Sequence, residues 1–172
     1  MALRGATDGD RERVLVWRNH PRVREVSLTA HEIAADEHAL WWRLVQANPD
    51  RHLLIYHHGA VPAGVVLFAR EEPDVAVWSF YLDVDGLTAR DELLGAWLGV
   101  ERESIAYAFG ELGVERIEGE VLADNAAVLA LHRRFGFRVA ERYDRDVDGA
   151  ARPVLRVELC AGARVSAGAR RG

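Results

Sequence analysis

The sequence predicts an α/β fold, one mixed sheet carrying helices on both faces. Three observations predict it. Strand-like and helix-like stretches follow one another in the order β-α-α-β-β-β-α-β-α-β-β. No internal repeat and no long polar linker divides the chain. The 172 residues are 49% hydrophobic and 28% charged, and a chain of this size buries about two-thirds of the surface it exposes when unfolded. We therefore expect a single domain over residues 1–160 and a disordered tail over 161–172, where Ala, Gly, Arg and Ser leave too little apolar surface to pack.

Each element has a local cause. Ala2–Gly5 reads as a short strand, and Thr7, Asp8 and Asp10 offer N-cap oxygens for a helix running through Trp17. Pro21 interrupts that helix, and a short helical piece follows around Arg22–Val26. Thr29 is expected to cap the next helix, whose Ile33, Leu40, Trp41, Leu44 and Val45 recur at helical spacing. His52–His58 and Val61–Ala69, joined across Gly59, read as a hairpin, and Asp74–Asp83 as a further strand. Val84–Arg90 is expected to be a loop before the long helix Leu93–Phe109. Arg116–Leu122 is a strand and Asn125–Phe135 a helix. Gly136–Asp146 and Arg152–Leu159 close a hairpin over Val147-Asp148-Gly149.

Composition excludes several functions. The net charge of −5 comes from 27 acidic against 22 basic residues, which argues against binding a phosphate backbone. Every basic residue is an arginine, so no lysine can act as a base or form a Schiff base. The lone Cys160 supports neither a disulfide framework nor a multi-cysteine zinc site. His31-Glu32 begins like a zinc-protease motif, but Ala35 stands where the second histidine belongs, and no metal is expected. Ser79 lacks a glycine elbow, and neither a Walker loop nor a dinucleotide fingerprint is present. No apolar run is long enough for a membrane span, and the N-terminus lacks a secretory core, so a cytoplasmic protein is expected.

The most informative segment is EGEVLADNAAVLALHRRFGF, Glu118–Phe137. Glu118 and Glu120 share one face of a strand, four residues separate Glu120 from Asn125, six more separate that from His132 on a helix, and Gly136-Phe137 follows. With WRNHPRVR (Trp17–Arg24), HALWW (His38–Trp42) and WSFYLD (Trp78–Asp83), this pattern resembles the GNAT superfamily of N-acetyltransferases. It is most similar to the branch of the amino-sugar N-acetyltransferases of the pseudaminic acid pathway, beside the ribosomal-protein N-terminal acetyltransferases. The resemblance implies a seven-stranded, mostly antiparallel sheet in which two central parallel strands splay apart.

It also implies a reaction. An acyl group would pass from a pantetheine thioester to a primary amine of a small molecule, such as an amino sugar or a secondary-metabolite intermediate. By resemblance Glu120 would be the base and His132, in the place of the usual tyrosine, the acid. A structural carboxylate paired with Arg102 or Arg116 is the competing reading for Glu120. The pantetheine arm would lie against backbone near Tyr81, Leu82 and Asp83, with Asn125 beside the thioester. Arg18, Asn19, Arg24 and Trp78 would shape the acceptor cleft, the arginines gripping an anionic group.

The donor loop departs from the family pattern. Where the family shows a basic residue or glutamine and small residues, this chain has Glu92-Leu93-Leu94-Gly95-Ala96-Trp97. Two carboxylates, Asp91 and Glu92, and an indole would obstruct a pyrophosphate near Gly95, Ala96 and Trp97. Three explanations stand open: a shifted register with acetyl-CoA or another acyl-CoA as donor, a lost activity, or an acyl-phosphopantetheine donor on an acyl carrier protein. The last would dock on a rim of Arg90, Arg133, Arg134 and Arg138. Protein N-terminal acetylation and a degenerate binding domain are the alternative functions, and homodimers are common in the resembling families.

Overall fold

The computed structural model describes residues 2–162; the segment expected to be a disordered tail lies, beyond Gly162, outside the described residues. Seven strands form one sheet: β1 (Leu3–Gly5), β2 (Arg51–His58), β3 (Val61–Glu72), β4 (Val75–Leu82), β5 (Arg116–Leu122), β6 (Arg138–Val147) and β7 (Ala150–Cys160), ordered β1-β2-β3-β4-β5-β7-β6. All neighbours pair antiparallel except β4 and β5, which run parallel. The helices are α1 (Arg11–Asn19), α2 (Pro21–Arg24), α3 (Ala35–Ala47), α4 (Val84–Ala89), α5 (Leu93–Gly110) and α6 (Ala126–Arg134). The expected sheet, with its parallel centre and helices on both faces, is the one observed.

The alternating pattern of the strands divides the core in two. On one face, α1 and α3 cover β2 and β3 through Val14, Trp17, Trp42, Val45, Ile55 and Val65. Trp42 is 2% exposed and donates its indole N–H to Asp8 at 3.0 Å, so the ring is buried without stranding its polar atom. On the other face α5 packs Ala96, Val100, Ile105 and Ala108 against Val66, Phe68, Ala76 and Trp78. The helix comes unusually close to β2 because Gly99 has no side chain: a Cβ there would lie 2.1 Å from the Tyr56 hydroxyl.

Two expectations need correction. Val84–Ala89 is a helix, because Asp83 caps it by accepting the Gly86 N–H at 3.0 Å. The helix expected after Thr29 starts only at Ala35, and residues 27–34 form an irregular strap instead. The last hairpin turns as expected, through Asp148 and Gly149 with φ of 50° and 87°, a pair of left-handed residues that suits the twist of the flanking strands.

Asp10 is the polar hub of the N-terminus. It is 2% exposed, accepts two hydrogen bonds from Arg4 at 2.7 and 2.8 Å, and accepts the Thr7 N–H at 2.9 Å. The Arg4 hydrogen bonds hold its carboxyl well below the usual carboxylate range, against burial, which pushes it up. A depressed folded-state value stabilises above the unfolded carboxylate value of about 4, and that contribution is lost as pH falls below it. Asp10→Ala should cost about 2 kcal/mol at neutral pH, since Arg4 is partly screened by water. Thermal melts from pH 7 down to 3 should lose much of their acid slope in this variant.

Candidate active site

The two parallel strands pair over only three residue positions, Val75 with Arg116, Ala76 with Ile117 and Val77 with Glu118. Beyond them β4 continues to Leu82 and β5 to Leu122 without bonding each other. Trp78 sits where they part. Its indole lies across Gly119, whose Cβ would come within 3.2 Å of the indole nitrogen, and it stacks on Phe68, Phe80 and Phe137. The parting opens a cavity of about 650 Å³ that runs from the strap residues Leu28 and Ile33 to Trp97 and His132. The unpaired edge of β4 within it can accept an extended chain in place of a strand.

His132 is buried on α6, with Nδ1 2.7 Å from Oε1 of Glu101, a fully buried residue of α5. Its Nε2 makes no hydrogen bond among the described residues and is not enclosed, so it opens on the cavity that His132 lines. Glu120 lines the same cavity, but both of its carboxylate oxygens are engaged, one by the Tyr143 hydroxyl and one by Arg145. Burial and the Glu120 contact push the Tyr143 phenol up to about 12, so it remains a donor. Arg102 and Arg116 are not the partners of Glu120; they pair with Glu103 at 3.4 Å and Glu118 at 2.8 Å.

At the donor end, the Glu92 carboxylate is neutralised by Arg90 at 2.7 Å. The N–H groups of Leu93, Leu94 and Gly95 have no backbone acceptor, so the start of the 18-residue α5 offers donors to an anion. Ala96 does not contribute: it is fully buried and its N–H is bonded to Glu92. A Cβ on Gly95 would lie 3.5 Å from the His58 ring, and Trp97 stands edge-on to Phe80 in the cavity wall. Asp83 is also spent, as the α4 cap, with its N–H on Ala63 and its carbonyl on Leu87. Tyr81 and Leu82 remain along the cavity, and Asn125 uses its side-chain oxygen to cap α6 at Val128, leaving its amide nitrogen free.

The acceptor end is roofed by the strap. Arg18 donates to the Thr29 carbonyl at 2.8 Å and Arg24 to the Ala30 carbonyl at 2.9 Å. Asn19 bonds both the N–H and the carbonyl of Ile33, as a neighbouring strand would. Asn19 and Arg24 are thus spent on the backbone that covers the cavity, while Arg18, which also lines it, keeps a buried Nη1 with no partner among the described residues. Trp78 is a core wedge, 5% exposed and stacked between aromatic rings, that also lines the cavity. Asp148, at the distant hairpin turn, closes the strap by accepting the Ala30 and His31 N–H groups at 2.6 and 2.8 Å. Of the expected docking arginines, Arg90 and Arg138 are paired within the chain, the latter with Glu158 at 2.7 Å, while Arg133 and Arg134 are exposed at the end of α6.

Parted parallel strands, a free helix N-terminus and a histidine on the helix after β5 define an acetyltransferase. The model of the acetyltransferase (GNAT) domain matches residues 1–138, and the chain belongs to this family. Among proteins, it is similar to acetyltransferase PseH of Campylobacter jejuni, 28% identical over 138 residues that make up 80% of each chain. The crystal structure of that protein in complex with acetyl coenzyme A covers 92% of this chain and 97% of its own, with a TM-score of 0.63 at 18% identity. Spermidine N-acetyltransferase from Vibrio cholerae, in complex with CoA and spermine, superposes with a TM-score of 0.80 at 14% identity, over 95% of this chain and 96% of that one. At these identities the superpositions show the fold. No described helix is long and apolar enough to cross a membrane.

The strap clasp predicts a pH dependence. His31 lies 3.0 Å from both Asp148 and Glu37, and those two hydrogen bonds raise its imidazole above the ordinary value. The charged clasp is therefore complete below the unfolded value of about 6.5 and is lost as pH rises through the raised folded value. Melting temperature should decline from pH 6 to 9 in the native protein, and His31→Gln should remove that slope.

Proposed function

We propose that this enzyme transfers an acetyl group from acetyl-CoA to the primary amine of a small molecule, with His132 exchanging the proton. The observation that carries the reading is the open Nε2 of His132 at the cavity between the parted strands. The gap beside β4 suits a pantetheine arm, and the free N–H groups of Leu93, Leu94 and Gly95 suit its phosphates once Arg90 has neutralised Glu92. Glu120, held by Tyr143 and Arg145, shapes the cavity in this reading and takes no proton. His132→Ala should lower kcat about 100-fold with acetyl-CoA affinity intact. Glu120→Gln should lower it far less; a comparable loss would return the base to Glu120.

The end of the cavity under the strap is walled mainly by Val23, Leu28, Ile33, Trp41, Leu67 and Tyr81, with Arg18, Glu37 and His38 set among them. Walls that are mostly apolar with a few charged groups suit an amine on an apolar body, as in many secondary-metabolite intermediates, better than a ring of hydroxyls that would lose hydrogen bonds to water. In a panel of amines with acetyl-CoA, kcat/KM should be at least tenfold higher for arylalkyl amines than for amino sugars. The reverse order would restore the amino-sugar acceptor.

A carrier-protein donor is the second reading, favoured by the exposed pair Arg133 and Arg134. Calorimetry separates the donors. Tighter binding of acetyl-CoA than of an acyl-pantetheine lacking the nucleotide supports the coenzyme. Equal binding, together with loss of acyl transfer from a carrier protein in the Arg133→Glu, Arg134→Glu variant, supports the carrier.

A further inference from the structure

We propose that Glu101 is a positioning residue that makes His132 the single proton carrier of the reaction, taking the proton from the amine and delivering it to the departing thiolate. The inference rests on the transferase reading above. Glu101 occupies the apolar face of α5, among Ala96, Val100, Ile105 and Ala108, and is 0% exposed. No arginine pairs with it among the described residues: its Oε1 meets His132 at 2.7 Å and its Oε2 has no partner. A buried carboxylate is costly to desolvate, and the imidazole is the sole group that hydrogen-bonds Glu101 among the described residues. Its one hydrogen bond goes to the ring that faces the cavity, so its charge acts on that ring.

That contact dictates the state of the ring. A carboxylate only accepts, so the imidazole carries its proton at Nδ1 and leaves a lone pair at Nε2. Phe137, Trp78 and Phe80 enclose the ring, with centroids 4.9, 5.6 and 6.4 Å away, and fix its orientation. The amine enters the step neutral, its ammonium proton already lost to bulk solvent; as its nitrogen bonds to the thioester carbon, one of its two remaining protons moves to Nε2, and the positive ring is balanced by Glu101. As the carbon–sulfur bond breaks, sulfur leaves with the electron pair and takes that same proton from Nε2. The amide and the free thiol are formed, and His132 returns to its starting state. No second acid or base is required, consistent with Glu120 being held by other residues.

Two variants and two readouts test this. Glu101→Leu restores an apolar side chain, and Glu101→Gln keeps the shape without the charge. Long-range nitrogen–proton NMR of the imidazoles, with His132 assigned by His132→Gln, should place the native proton on Nδ1 and move it toward Nε2 in the leucine variant. With acetyl-CoA and benzylamine, followed as free thiol, kcat should fall about 100-fold in both variants while KM for acetyl-CoA stays within about twofold. The leucine variant leaves the buried Nδ1 of His132 without a partner and should melt below the native protein, whereas the glutamine variant, which can still accept there, should melt close to it. A native proton on Nε2, or a folded variant with kcat within threefold of native, overturns the proposal; if the leucine variant does not fold, the glutamine variant and the native spectrum decide. A native protein that neither binds acetyl-CoA in calorimetry nor releases thiol overturns the transferase reading, and the shuttle with it.

Discussion

A parallel strand pair that stops bonding after three positions leaves a row of backbone groups facing each other with nothing between them. Water or a ligand must satisfy those groups, because polar backbone left bare in an interior is costly. The chain keeps the gap open with bulk: the Trp78 indole needs the room that Gly119 gives it, and its stacking on three phenylalanines anchors it. The cavity, the placement of α6 beside it and the approach of α5 from below all follow from that wedge. Shrinking Trp78 would let the strands approach and close the space between them, whereas a side chain at Gly119 would press against the indole.

The acceptor roof is built by another economy. Residues 27–34 have no ladder of their own, so Arg18, Asn19, Arg24 and Asp148 provide the hydrogen bonds that a neighbouring strand would have given. Arg24 and Asn19 are thereby engaged by backbone, while Arg18 gives one nitrogen to it and keeps Nη1 without a partner among the described residues. A segment held in this way has its shape set by four separate residues, so the roof can change in sequence, and with it the acceptor, without disturbing the sheet.

Much of the architecture was legible because it rests on period. The alternation in β2 to β4 and the apolar stripe of α5 identify themselves, and the spacing from Glu120 to His132 places both at the cavity. What the sequence hid was tertiary. Thr29 reads as a cap, yet its carbonyl is captured by Arg18, a contact no local rule anticipates. Val84–Ala89 reads as a loop until Asp83 is seen to close on the Gly86 N–H. Tyr143 and Arg145 reach Glu120 across β7 from a strand whose register slips at a bulge between Val139 and Glu141, and a bulge leaves no trace in alternation. Glu101 did leave a signal, a carboxylate amid an apolar helix face, which marks a functional group more often than an accident of composition.

The clasp between the strap and the hairpin turn joins Ala30 and Asp148, separated by 118 positions in the chain. During synthesis the early helices and the first strands emerge long before their roof can be fastened, and the strands that carry the turn are the last of the sheet to form. Contacts of such long span raise the contact order and slow folding. The strap can be fastened only once the final hairpin is in place, and a chain without that hairpin would have no Asp148 to hold it.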